Sequence, residues 1–310
     1  MKRNLTLDRF RGMAVILMVA GNALMEAPDA PKFAQHMPDI GLSFADTVAP
    51  LFLFAIAVSY RQQFTRLFAA LKMKAFSHYA CRYLALIGLG TIFSAGGELV
   101  SEHTSWGVLQ AIGVAGLLTL SVITFPTGIR AAAGLGLLVA YQIALDRFFL
   151  QDVLSSSHGG FIGAFSWGAM LILSTVMVDF LQKGIKPFLL SGGALTIIAI
   201  ISLFIVPISK NRVSLSYVLV SVAICCLWYY LMIVFTKRVP KDYGYVSCWG
   251  MNPLLFYVLH LILLGISRIP LALFKVEPTP LWAAALSSIA MLFIIGFIAR
   301  KKYYKEAVSA

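Results

Sequence analysis

A histidine stands ten residues ahead of an aspartate in the stretch HMPDIGLSFADTVAPLFLF, which runs from His36 to Phe54. A neutral imidazole takes up a proton near neutral pH. A carboxylate beside it can fix its tautomer and stabilise the charge that results. Asp46 stands where a polar loop gives way, past Pro50, to an apolar run, and an ionisable group at membrane depth is costly. Other polar residues interrupt apolar segments: Asn22, Ser214, Ser216 and Tyr217, and the pair Asn252 and His260, eight residues apart and so on one helical face. The plainer reading of such groups is hydrogen bonding between helices, worth about 0.6 kcal/mol per pair. For Asn22, Ser214 and Ser216 the two readings balance. For Asp46 the cost of a buried charge tips the balance toward chemistry. His36 alone would pass for an ordinary loop histidine, and its spacing to Asp46 is what singles it out.

The chemistry these groups offer is acid–base catalysis with an activated substrate brought from elsewhere. The chain has no GxGxxG after a strand, no P-loop, no HExxH and no GxSxG. No CxxC or histidine cluster points to a metal. The cysteines Cys81, Cys225, Cys226 and Cys248 lie in or beside apolar segments, which suits buried thiols better than a disulfide framework.

The elements that must position these residues follow from composition. Of the 310 residues 60% are hydrophobic and 12% charged, and the mean hydropathy is +0.86. Soluble domains carry about 25% charged residues. An all-α integral membrane protein is therefore expected. With about 20 apolar residues per crossing, the sequence predicts a bundle of about ten transmembrane helices in a single domain over residues 1–310: 10–27, 44–62, 78–96, 106–125, 129–149, 160–181, 187–207, 213–236, 246–267 and 280–299. The first 27 residues have a basic start and an apolar run, as a signal peptide does. Asp8 within the basic part and Asn22 closing the run favour a retained helix.

Charge orients the bundle. Nineteen of the 25 Lys and Arg residues fall at the N-terminus, in the even-numbered connections and in the tail, against six in the odd-numbered connections. This bias places both termini in the cytoplasm. It also accounts for the net charge of +12 without nucleic acid, because anionic lipid headgroups attract such residues. His36 and Asp46 then face outward, together with Glu98, Glu102, His103, Asp152 and His158. Arg9, Arg11 and Arg61 lie on the cytoplasmic side, where cations suit a phosphorylated ligand.

Four stretches resemble one family, the heparan-α-glucosaminide N-acetyltransferases and their bacterial relatives. They are LDRFRGMAVILMVAGN (Leu7 to Asn22), the spacing H-x4-G-x4-D-x3-P (His36, Gly41, Asp46, Pro50), VPISKNRVSLSYV (Val206 to Val218) and GMNPLLFYVLH (Gly250 to His260). WGVLQAIG (Trp106 to Gly113) is a weaker fifth. LDxxRG alone is shared with other transmembrane acyltransferases, whereas the four in order are specific. The resemblance implies a multi-pass enzyme of the cell inner membrane. It would move an acetyl group from cytosolic acetyl-CoA to the amine of a glucosamine-type sugar outside. His36 resembles the family's catalytic histidine, with Asp46 in support. Asn22, Ser214, Ser216, Asn252 and His260 resemble polar positions around the donor site, and Arg9, Arg11 and Arg61 are expected on the CoA phosphates. Two departures stand out. Ala111 replaces an arginine usual after VLQ, and the loop from Gln151 to Gly160 matches no family feature. O-acylation of a surface glycan or lipid and a non-enzymatic transporter are the alternatives, the transporter weakened by the missing internal repeat. Whether the chain acts alone or as a homodimer is open at this level.

Overall fold

The computed structural model describes residues 3–98, 106–276 and 278–308, so Glu102 and His103 lie outside the described residues. Those residues are mostly helical and form no strand. The helices are α1 (Leu5–Leu24), α2 (Val48–Leu71), α3 (Lys74–Glu98), α4 (Val108–Val122), α5 (Thr127–Ala144), α6 (Leu150–Leu154), α7 (Gly160–Lys183), α8 (Ile185–Leu203), α9 (Leu215–Arg238), α10 (Ser247–Gly250), α11 (Pro253–Leu273) and α12 (Leu281–Val308). Apart from short α6 and α10, one helix overlaps each of the ten expected segments, but fewer of these helices are long and apolar enough to cross a membrane. Among the described residues six segments are long and apolar enough to cross a membrane: Thr127–Leu154, Ser157–Lys183, Ile185–Leu203, Leu215–Arg238, Pro253–Leu271 and Leu281–Tyr304. Val108–Val122 is apolar but shorter.

The helix ends follow local chemistry. The Asn4 side chain accepts from Leu7 N–H and caps α1. Pro126 precedes α5 and Pro253 is the first residue of α11, both places where a missing N–H costs nothing. The span expected at 129–149 is longer than predicted, because α5 continues through a π-helical turn at Leu145–Phe149 into α6.

Two compact units make up the fold. One comprises Met1–His36, Ser43–Phe52 and Leu227–Ala310; the other comprises Met37–Leu42 and Leu53–Cys226. In the first, α1, α10, α11 and α12 pack around Val15, Val19, Trp249, Phe256 and Ile295. Backbone approach there is very close. A Cβ added at Gly12 would stand 1.9 Å from the Val246 carbonyl oxygen, and one at Gly250 would stand 1.8 Å from that of Asp8. Small residues at such crossings let helices in lipid come together where no hydrophobic force drives them.

In the second unit α7 is the most enclosed helix, with α4 and α5 against it. Arg130, fully buried, donates to Thr175 Oγ1 at 2.6 Å and to the Asp179 carboxylate, which also accepts from Thr127 Oγ1 at 2.6 Å. Arg61 adds its Nε at 3.0 Å from Asp179 Oδ1. An ion pair so buried survives because every charge in it has a partner.

Candidate active site

The first unit holds the histidine–aspartate pair. His36 Nδ1 lies 2.7 Å from Asp46 Oδ1. Asp46 is 1% exposed, whereas the His36 side chain keeps 40% of its surface. A carboxylate only accepts, so the proton in this bond sits on Nδ1 and the lone pair of the neutral ring is on Nε2. The other Asp46 oxygen, Oδ2, accepts from Ser43 N at 2.9 Å and Ser43 Oγ at 3.0 Å, and Asp46 N reaches Ser43 Oγ at 3.4 Å. This reciprocal arrangement is a capping box at the short 3-10 turn Ala45–Thr47 that leads into α2. Local contacts with Ser43 thus hold the carboxylate independently of the histidine. Ser43 was not singled out from sequence, although S-x-x-D is the legible signature of such a box.

His36 borders an open recess of about 350 Å³ formed with Met25, Ala27, Pro28 and Gln35. Gln35 Nε2 donates to the carbonyls of Pro28 at 2.7 Å and Ala30 at 2.9 Å, which ties the turn after α1 to the segment ending at His36.

Asn22 and His260 also meet in this unit. Asn22 Nδ2 lies 2.9 Å from His260 Nε2, and His260 Nδ1 lies 2.5 Å from the Tyr257 carbonyl oxygen. A carbonyl only accepts, so Nδ1 is the protonated nitrogen and Nε2 accepts from Asn22. The Asn22 amide is thereby oriented. Asn252 does not join them. Its Oδ1 accepts from Leu255 N at 3.3 Å, as an N-cap does for α11, and its Nδ2 donates to the Tyr303 hydroxyl at 3.2 Å.

Of the arginines, Arg9 is 4% exposed and donates to the carbonyls of Val239 at 2.7 Å and Lys241 at 3.0 Å. Its guanidinium serves the frame of the first unit. Arg11 is half-buried on the same helix.

Arg61, Ser214 and Ser216 belong to the second unit. Arg61 joins Asp179, as above, and donates to the Ile123 carbonyl. Ser214 Oγ accepts from Tyr217 N at 3.3 Å and from Ser209 N at 3.1 Å, so it caps α9, and it lies 3.1 Å from Ser216 Oγ. Both serines are buried. An ion pair that the sequence did not flag lies nearby: Arg212 Nε donates to Asp39 Oδ1 at 2.8 Å, and its Nη2 donates to Asp39 Oδ2. The guanidinium holds the Asp39 carboxyl below the usual carboxylate range, and the carboxylate holds Arg212 charged.

A family model described as heparan-alpha-glucosaminide N-acetyltransferase, catalytic, matches residues 3–157, half of the chain. The matched region contains Asn22, His36 and Asp46, while Ser214, Ser216, Asn252 and His260 lie beyond it. No curated protein matches the chain.

Proposed function

The chain belongs to the heparan-alpha-glucosaminide N-acetyltransferase family, and we propose that it moves an acetyl group from acetyl-CoA to the amine of a glucosamine-type sugar, with His36 as general base. The observation that carries this reading is the 2.7 Å bond from His36 to a buried Asp46 at the border of an open recess.

A protonated amine is no nucleophile. Once neutral, its nitrogen attacks the thioester carbonyl carbon while His36 Nε2 takes the departing proton. The C–S bond then breaks and the proton passes to the leaving thiolate. General-base assistance of this kind is worth roughly 10²–10⁴ in rate. Asp46 holds the Nδ1–H tautomer and stabilises the imidazolium. The second N–H of Asn22 suits the oxyanion of the tetrahedral intermediate, with His260 orienting the amide. Asn252, in the same unit as His36, adds to the polar surroundings of the donor. Arg9 and Arg11, on the cytoplasmic side in this reading, suit the CoA phosphates.

The same reading takes all ten long helices as spans of one catalytic domain in a cell inner membrane, with both termini cytoplasmic. The 19 to 6 division of Lys and Arg supports it. Donor then enters from the cytoplasm, and the acetyl end reaches His36 on the outer side.

Purified protein in detergent, given labelled acetyl-CoA and glucosamine, tests the proposal. Labelled N-acetylglucosamine is expected. A product acetylated on hydroxyls with the amine untouched would instead identify an O-acyltransferase. Failure to bind CoA would remove both acyltransferase readings.

A further inference from the structure

The six residues that join His36 to Ser43 are themselves clamped. The Gly41 N–H donates to the Ile208 carbonyl at 2.8 Å, and Gly41 pairs with Ser209 in an isolated parallel bridge. Asn211 Nδ2 donates to the Pro38 carbonyl at 2.6 Å. Asp39 accepts from Ser209 Oγ at 3.0 Å and from both arms of the Arg212 guanidinium. Backbone, amide and ion-pair contacts thus fix Met37–Leu42 onto the 208–212 turn, all within the second unit.

Both partners of the clamp are shaped for it. Gly41 has φ +128°, a conformation side chains rarely adopt, and a Cβ there would stand 2.6 Å from the Met37 Cε. The 208–212 turn runs into Val213, whose φ is +47° although it is β-branched. A β-branched residue at positive φ persists only where its surroundings over-determine it. Those surroundings are visible: Val213 is fully buried, its N–H donates to the Lys210 carbonyl at 3.0 Å, and its own carbonyl accepts from Ser166 Oγ at 2.7 Å. The Arg212 carbonyl in turn accepts from the Tyr141 hydroxyl at 2.6 Å. The turn that grips the linker is therefore anchored to α5 and α7.

Peptide bonds do the rest. The linker begins at the residue after His36 and ends at the residue before Ser43, whose N–H and hydroxyl hold Asp46. A fixed linker restricts both ends of the His36–Asp46 bond, and small misplacements of a catalytic group are costly.

We propose that Arg212 and Asp39 are positioning residues for His36, and that their ion pair, with Asn211 and Ser209, sets the His36–Asp46 geometry through the Met37–Leu42 linker. The proposal rests on His36 being the base. Neither residue touches substrate.

The test uses purified full-length Arg212→Met, Arg212→Lys, the charge-swapped double variant Asp39→Arg/Arg212→Asp, and His36→Ala, assayed together. Turnover per acetyl-CoA-binding site and the KM for acetyl-CoA are measured. Arg212→Met is expected to lose tenfold or more in kcat with KM for acetyl-CoA within twofold. Arg212→Lys is expected to recover only part, since an ammonium lacks the two-pronged fork. The double variant is expected to regain at least threefold over Arg212→Met. If His36→Ala is inactive while Arg212→Met keeps native kcat per binding-competent molecule, the positioning role is overturned and the base stands. If Arg212→Met loses only the amount of folded protein, the pair is structural and the proposal fails. If His36→Ala turns over at the native rate, the base assignment falls and the clamp's role falls with it.

Discussion

At the scale of residues, the pair His36 and Asp46 divides the work by exposure. The buried carboxylate is locked by Ser43, and the imidazole stays half-exposed. Asp46→Asn keeps the shape but replaces an obligate acceptor with a group that can also donate, so the tautomer is no longer enforced. Turnover is expected to fall on the order of 10²–10⁴-fold with acetyl-CoA affinity retained, which parallel rate and binding measurements check. Asp39 behaves differently. Its folded pKa is lowered by Arg212, so its contribution to stability is present above the unfolded value of about 3.9 and disappears as pH falls through the lowered folded value. Melting followed downward from neutral pH should show this acid-side loss in the native protein, and Asp39→Asn should lack it. The spacing of His36 to Asp46 was legible in the sequence because both lie in one short stretch. Arg212 was not, because its partner is 173 residues away and nothing local marks it.

Elements decide whether these residues are held at all. In the first unit α1 crosses α10 at backbone contact, with Gly12 against the Val246 carbonyl and Gly250 against that of Asp8. Neither obstacle is a flexible side chain. Gly12→Ala or Gly250→Ala must push the helices apart, and overpacking of this kind costs about 1–3 kcal/mol or more. A lowered melting temperature in detergent is the expected result. In the second unit, Asp179→Ala would strand the fully buried Arg130. Breaking one side of a buried pair costs about 3–5 kcal/mol, so this variant is expected to yield little folded protein. The apolar runs gave the ten long helices directly, since each is bounded by polar or proline-containing turns. Two other features were hidden. The π-helical join between α5 and α6 leaves no mark in the hydropathy. The carbonyls that Arg9 and Arg61 reach were hidden too, because sequence shows a charge and not its partners.

For the whole molecule the central question is direction. The division of basic residues supports a cytoplasmic donor side and an outer acceptor side. Cysteines introduced at positions 36 and 238 are expected to label from opposite sides of an intact membrane; labelling from one side would overturn the span order. Hydropathy made the membrane class legible from composition alone, and the family became legible only through motif spacing, since polar residues at depth serve helix packing as readily as catalysis. The most direct measurement seals labelled acetyl-CoA inside liposomes carrying the protein with its termini inward and supplies glucosamine outside. Labelled N-acetylglucosamine should accumulate outside with the native chain and be absent with His36→Ala, whose acetyl-CoA binding should persist. Native-rate product from His36→Ala would contradict the assignment of His36 as the base.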